Sequence, residues 1–235
     1  MYMSGGLSID QSASDARAQL QEGLRKLLPE ASLRRQAPPL IPELPLWLLG
    51  DIQAGQRLDA SVAGALMDAP PYWSFCWASG QVLARWLLDH AELIRGRTVV
   101  DVGPGSGVVA LAAARAGAAR VIACDIDPQA LLAVTMNAQS LGLQIELSND
   151  LNSCLPMADL VTAADILYDR DNMPLLEAFR IAPRVLLADS RVRNLSPPGY
   201  QQAGRYRATT WPDLGEADEF SQVTLYKSGL FGMTG

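Results

Sequence analysis

From Thr98 onward the chain alternates short, almost purely apolar runs with longer stretches of helical periodicity. The runs at 98–102, 120–124, 144–147, 159–164 and 184–188 have the length and apolar character of strands, and 159–164 is unbroken, as a strand covered on both faces should be. Between them, 106–117, 128–141 and 172–181 read as helices, the second stopped by Gly142. A loop follows over 191–204, and then 206–211 and 222–227 read as two strands joined by a long connection. This order predicts an α/β fold: a doubly wound, mostly parallel seven-stranded sheet with an antiparallel C-terminal hairpin.

Upstream the pattern changes. Residues 11–30 carry a helical stripe of Leu20, Leu24, Leu27 and Leu28, with Ser14 or Asp15 available as a cap. Residues 34–51 hold Pro38, Pro39, Pro42 and Pro45, so an extended connector is expected there. A short helix is expected over 59–67. Gln81 to His90 then reads as an amphipathic helix with Leu83, Trp86 and Leu87 on one face. The chain divides, on this reading, into an N-terminal helical and proline-rich extension (1–60) and the α/β domain (61–235).

Composition narrows the classes. The 235 residues are 49% hydrophobic and 19% charged, which is globular and sufficient for a full core. A net charge of −6 argues against nucleic acid and favours a cationic partner. No apolar run approaches the ~20 residues of a membrane span, and the N-terminus lacks the charged start and apolar segment of a secretory signal. Cys76, Cys124 and Cys154 are scattered, as expected of reduced thiols in a cytoplasmic protein. With His90 as the single histidine, neither a transition-metal site nor a histidine-based triad is expected.

The densest chemistry lies between Val99 and Asp127. A strand, a glycine turn, an alanine-rich helix and a second strand ending at Asp125 form a Rossmann-like nucleotide-handling unit, with Asp125 placed for ribose hydroxyls. Glycines stand at Gly103, Gly105 and Gly107, whereas a dinucleotide fingerprint would need glycine where Val108 stands. Asp101 precedes the first glycine by two residues, where its charge suits a cationic ligand rather than a pyrophosphate. Acid-x-G-x-G-x-G followed by a strand ending in Asp resembles motif I of the class I S-adenosylmethionine-dependent methyltransferases. The resemblance implies S-adenosyl-L-methionine as cofactor, Asp101 toward its methionine amino end and Asp125 on the ribose. Ile126 and Asp150 join the implied cofactor-binding set.

Each predicted strand ends in a polar residue, so Asp101, Asp125, Asp150, Asp165 and Asp189 line one rim of the sheet. PPYWSFCWASGQVLARWLLDH before the glycine turn, DIDPQALLAVTMNA after it, and Asp165-x-x-Tyr168 are similar to one seven-β-strand group. That group includes the lysine methyltransferase of the electron-transfer flavoprotein β-subunit and its bacterial relatives. The likeness spans roughly residues 40 to 190. It implies Trp73, Trp77 and Gln81 around the methionine end and substrate channel, with Asp165, Tyr168 and Asp189 as catalytic residues. It also implies a lysine-bearing protein as partner, the electron-transfer flavoprotein β-subunit being the first candidate. Two departures stand out: Ala164-Asp165-Ile166-Leu167-Tyr168 where the group reads G-D-x-F-Y, and Asp189-Ser190-Arg191-Val192 where it reads D-P-G-R.

Amine methylation imposes its own demands. The nucleophile must be neutral, yet a carboxylate that attracts an ammonium also raises its pKa. Desolvation by Tyr72, Trp73 and Trp77 would push the other way, and Tyr168 is placed to hydrogen-bond the amine. A small-molecule N- or O-methyltransferase and a non-catalytic cofactor-binding module remain open alternatives.

Overall fold

The computed structural model describes residues 12–50 and 70–231, so the helix expected over 59–67 lies outside the described residues. Its central sheet contains β3 (Thr98–Val102), β4 (Arg120–Cys124), β5 (Glu146–Ser148), β6 (Leu160–Ala164), β7 (Arg184–Asp189), β8 (Gln201–Arg207) and β9 (Gln222–Gly229). The strand order is β5-β4-β3-β6-β7-β9-β8. β3 through β7 pair in parallel, while β9 runs antiparallel to both β7 and β8. The order reverses direction between β3 and β6, which opens a crevice beyond their carboxyl ends.

Alternation along the strands feeds two cores. Val99, Val121, Leu160 and Leu186 face one side, against α2 (Ala78–Asp89) and α3 (Val108–Arg115). Val100, Ile122, Val161, Val185 and Leu187 face the other, with Leu176 and Phe179. The alanines of α3 let its backbone sit close to the sheet, and Gly80 of α2 admits Val108 at 3.0 Å from where a Cβ would stand.

A third core joins the N-terminal segment to the domain. α1 (Ala13–Leu27) buries Ala16, Leu20 and Leu24 against Ala130, Ala133 and Met136 of α4 (Pro128–Ser140). α4 is buried over Ala130–Ala138, on all its faces, because α1 covers one side and the sheet the other.

Several local expectations are corrected. The cap of α1 is Ser12, whose Oγ accepts from Asp15 N–H at 3.3 Å; Ser14 and Asp15 lie inside the helix. The proline-rich connector folds back on itself as an antiparallel pair, β1 (Leu33–Gln36) with β2 (Leu46–Leu49). All four of its prolines fall in the intervening loop, where a missing N–H removes no ladder bond. The helix expected over 172–181 is a series of short turns, with helical bonds only over Leu175–Ala178. The edge strand β8 runs over Gln201–Arg207, starting and ending earlier than expected, and Trp211 lies outside it, bridged to Cys76.

Candidate functional site

The turn after β3 is built for close backbone approach. Gly103 has φ +65°, and a Cβ there would stand 2.8 Å from Ile166 Cγ2. At Gly105, φ +51°, a Cβ would meet nothing nearer than Tyr72 O at 4.0 Å, so its open side faces free space. Gly107 is the N-cap of α3. Beneath the turn, buried Asn137 of α4 donates to Ser106 O at 2.9 Å and accepts from Trp47 N–H at 2.7 Å. A single side chain thus ties the β2 strand to the glycine turn.

A cavity of about 560 Å³ opens over this turn. Gly103, Gly105, Asp125, Ile126, Asn149 and Leu151 line one end, after β3, β4 and β5. Asp125 Oδ1 accepts from Asp127 N–H at 2.9 Å, and burial raises its pKa. Ile126 is 92% exposed, an apolar side chain held over a cavity mouth without covering.

The other end is walled by Tyr72, Trp77, Asp165, Tyr168, Arg191 and Glu216. Asp165 adopts φ +52°, a left-handed conformation that costs a non-glycine residue about 1–3 kcal/mol. Its surroundings hold it there. Its N–H donates to Ala188 O at 2.9 Å, and Oδ1 accepts from Ser79 Oγ (2.7 Å), Ser190 N–H (2.8 Å) and Ser190 Oγ (2.8 Å). Oδ2 accepts from Ser79 N–H at 3.2 Å. One carboxylate therefore locks the ends of β6 and β7 to the start of α2.

Three aromatic rings continue the wall. Tyr72 lies 4.9 Å from Tyr168 and 5.8 Å from Trp77, centroid to centroid. Trp77 Nε1 donates to Tyr72 O at 2.9 Å, and Tyr168 is exposed to solvent. Trp73 also reaches the cavity but is almost wholly buried, its Nε1 donating to Gln129 Oε1 at 2.9 Å.

Other residues expected at the site stand behind it. Asp101 is buried, accepting from Ala110 N–H at 3.0 Å and Thr162 Oγ1 at 2.8 Å, and joins α3 to β6 rather than lining the cavity. Burial pushes its carboxyl up to about 7. Asp189 is likewise out of the wall; its Oδ1 accepts from Arg191 N–H (3.0 Å) and Val192 N–H (2.7 Å), and burial pushes it up to about 6. Gln81 is buried, its amide donating to Thr209 O at 2.7 Å. Asp150 caps a short helix through Asn152 and Ser153 N–H while its neighbours Asn149 and Leu151 reach the cavity.

Arg191, Glu216 and Asn172 also line the cavity and were not among the expected site residues. Arg191 had a signal, as the residue that breaks the D-P-G-R likeness. Glu216 lay in the loop between two strands and had none.

With this geometry in view, comparison with known proteins is informative. The sequence model of the ribosomal protein L11 methyltransferase (PrmA) family matches residues 84–169, from α2 to just beyond β6. The chain is 41% identical over 104 residues to the electron transfer flavoprotein beta subunit lysine methyltransferase of Rattus norvegicus, covering 43% of this chain and 41% of that protein. It is 33% identical over 156 residues to the Xenopus laevis protein of the same name, covering 65% of this chain and 53% of that one. The chain thus spans between about two fifths and about half the length of these relatives. Among solved structures, magnesium protoporphyrin IX methyltransferase from Synechocystis with bound SAM superposes with a TM-score of 0.51 at 14% identity. That match covers 97% of this chain and 100% of the other.

Proposed function

We propose that this chain, which carries the Rossmann-like fold of the class I methyltransferases, uses S-adenosylmethionine to methylate a lysine amine of a protein. The observation that carries this reading is the single cavity joining an open glycine turn and Asp125 at one end to an aromatic wall with a strained Asp165 at the other. Gly103 and Gly105 suit close approach of an extended ligand, Asp125 suits ribose hydroxyls, and exposed Ile126 suits the face of a base. A Cβ at Gly105 would project into the space that such a ligand needs. When bound, this cofactor supplies an electrophilic methyl group on a sulfonium.

The chain's own residues do the rest. Tyr72 and Tyr168 can hold an arriving ammonium by its attraction to their faces, about 0.5–2 kcal/mol each, and with Trp77 they shield it from bulk water. Asp165, fixed by four hydrogen bonds, orients rather than relays. Tyr168 offers a hydroxyl at the exposed rim to aim the nitrogen.

A protein acceptor is favoured over a small molecule by that rim. Tyr72, Ile126 and Tyr168 line the cavity, and Met173 follows the cavity residue Asn172; all four are exposed large apolar side chains, a grouping typical of contact surfaces. The net charge of −6 favours a lysine-bearing partner over nucleic acid. Three free, buried cysteines fit a reducing, cytoplasmic setting, and no helix among the described residues is long and apolar enough to cross a membrane. The similarity to lysine methyltransferases named for the electron-transfer flavoprotein β-subunit makes that subunit the first acceptor to test.

The test is transfer of labelled methyl from S-adenosylmethionine to purified β-subunit and to an extract of the source organism. A discrete labelled protein supports the reading. Label confined to small molecules, or no transfer despite cofactor binding, contradicts it.

A further inference from the structure

The Asp165 end of the cavity carries an ion pair that no motif explains. Arg191 Nη1 donates to Glu216 Oε1 at 2.8 Å, with side chains only 14% and 22% exposed. The guanidinium is flanked by the rings of Trp77 and Phe220, at 5.0 and 4.8 Å from their centroids. Its backbone is pinned by Asp189, and Glu216 Oε2 accepts from Thr210 Oγ1 at 2.5 Å. The pair is held from several sides and mostly buried, so its field is screened less than that of an exposed pair.

Its two halves are unequally satisfied. Both oxygens of Glu216 accept a hydrogen bond, whereas Arg191 Nη2 is buried without an acceptor. The other charged groups on this side are Asp165, already four times hydrogen-bonded, and Asp189, whose Oδ2 is buried without a donor. Tyr72 and Tyr168 complete the wall, while Asp125 and Asp127 stand at the glycine end.

We propose that Arg191, balanced by Glu216, holds an incoming amine in its neutral form. This rests on reading the chain as an amine methyltransferase. A free lysine ammonium has a pKa near ~10.4, so at neutral pH it arrives charged. A guanidinium is charged at every working pH and disfavours that second cation, while a carboxylate favours it. The ammonium passes one proton to water, giving hydronium and an amine whose lone pair is free to react. Glu216 limits the opposing cost, since an unpaired guanidinium would repel the ammonium before it entered.

The experiment is kcat against pH with saturating S-adenosylmethionine and the labelled protein acceptor, which reports ionisations of the bound state. Arg191→Met should move the alkaline rise up by about one pH unit, and Glu216→Gln should move it down by about as much. Arg191→Lys keeps a cation but not the stacked guanidinium, so its limb should fall between the parent and Arg191→Met. Calorimetric binding of S-adenosylhomocysteine should stay within about threefold in all three, as the pair lies off the glycine turn. Limbs that stay put, or move in the same direction in Arg191→Met and Glu216→Gln, would overturn the proposal while leaving amine transfer intact. If no protein accepts methyl although S-adenosylhomocysteine binds, amine transfer falls and this proposal with it.

Discussion

The two ends of the cavity are built in different ways. The glycine end is made largely of backbone: Gly103 and Gly105 come from one continuous stretch, and Asp125 directly follows the adjacent strand β4. The Asp165 end is assembled from side chains of four distant segments, holding Tyr72 and Trp77, Asp165 and Tyr168, Arg191, and Glu216. A backbone cradle depends on conformation, so few residue types satisfy it and its pattern is short. An assembled wall depends on long-range packing, so it can change its chemistry one side chain at a time. This contrast suits an enzyme whose cofactor is constant while its acceptor varies.

The largest effect is expected at the backbone. Gly105→Val places a branched side chain at φ +51°, aimed into the cavity, and should weaken S-adenosylhomocysteine binding by about 100-fold or more. Equilibrium dialysis would measure it, and binding within a few-fold of the parent would show that the turn is not the cradle.

Next comes Asp165→Ala, which strands Ser79 and Ser190 and removes the clamp between β6, β7 and α2. Leaving these buried donors without their acceptor costs about 1–3 kcal/mol of stability. Turnover should fall by roughly two orders of magnitude, with cofactor affinity changed much less. Urea unfolding and steady-state kinetics check the two halves of this statement.

Asp125→Ala acts on the glycine end alone. Loss of charge-assisted hydrogen bonds to a ribose should weaken S-adenosylhomocysteine by about tenfold, equivalent to about 1.4 kcal/mol. The acceptor KM should hardly move, and a KM change as large as the cofactor effect would blur the division between the two ends.

The smallest effect concerns pH. Burial raises Asp101 to about 7 and Asp189 to about 6, both above the 3.8 of an unperturbed Asp. In the window from about pH 4 to pH 7 the folded state therefore binds more protons than the unfolded state, so these groups make stability fall as pH rises. Above pH 7 their contribution is flat. Differential scanning calorimetry should show a Tm lower by a few degrees (roughly 2–4 °C per kcal/mol at this size) at pH 7.5 than at pH 5. Asp101→Asn should flatten that slope, and an unchanged slope would mean that Asp101 ionises normally.

The same division explains what was legible in the chain. β3 and β4 lie where their apolar runs placed them, residue for residue, because Gly103 and Asp125 each stop a buried run at its carboxyl end. Gly103, Gly105 and Asp125, which the spacing singled out, line the cavity, as does Ile126, which the resemblance implied, whereas Gly107 of the same motif packs on Val134. The β1–β2 pair was hidden because four prolines suggest an extended connector until one sees that all of them fall in its loop. The break after Asn172 has a visible cause in Pro174, which the apolar content of 172–181 outweighed. Asp101, Asp189 and Gln81 stand behind the cavity wall because burial and hydrogen bonding, which spacing does not encode, turn them toward the scaffold. The Arg191–Glu216 pair joins residues 25 apart through a loop, and no local pattern reports such a contact.

The most direct test of the account is calorimetric titration of S-adenosylhomocysteine into the parent protein, Gly105→Val and Tyr168→Ala. The account predicts tight binding by the parent, near-complete loss in Gly105→Val, and affinity within about threefold of the parent in Tyr168→Ala. A parent that does not bind S-adenosylhomocysteine, or a Tyr168→Ala loss as deep as that of Gly105→Val, would contradict it.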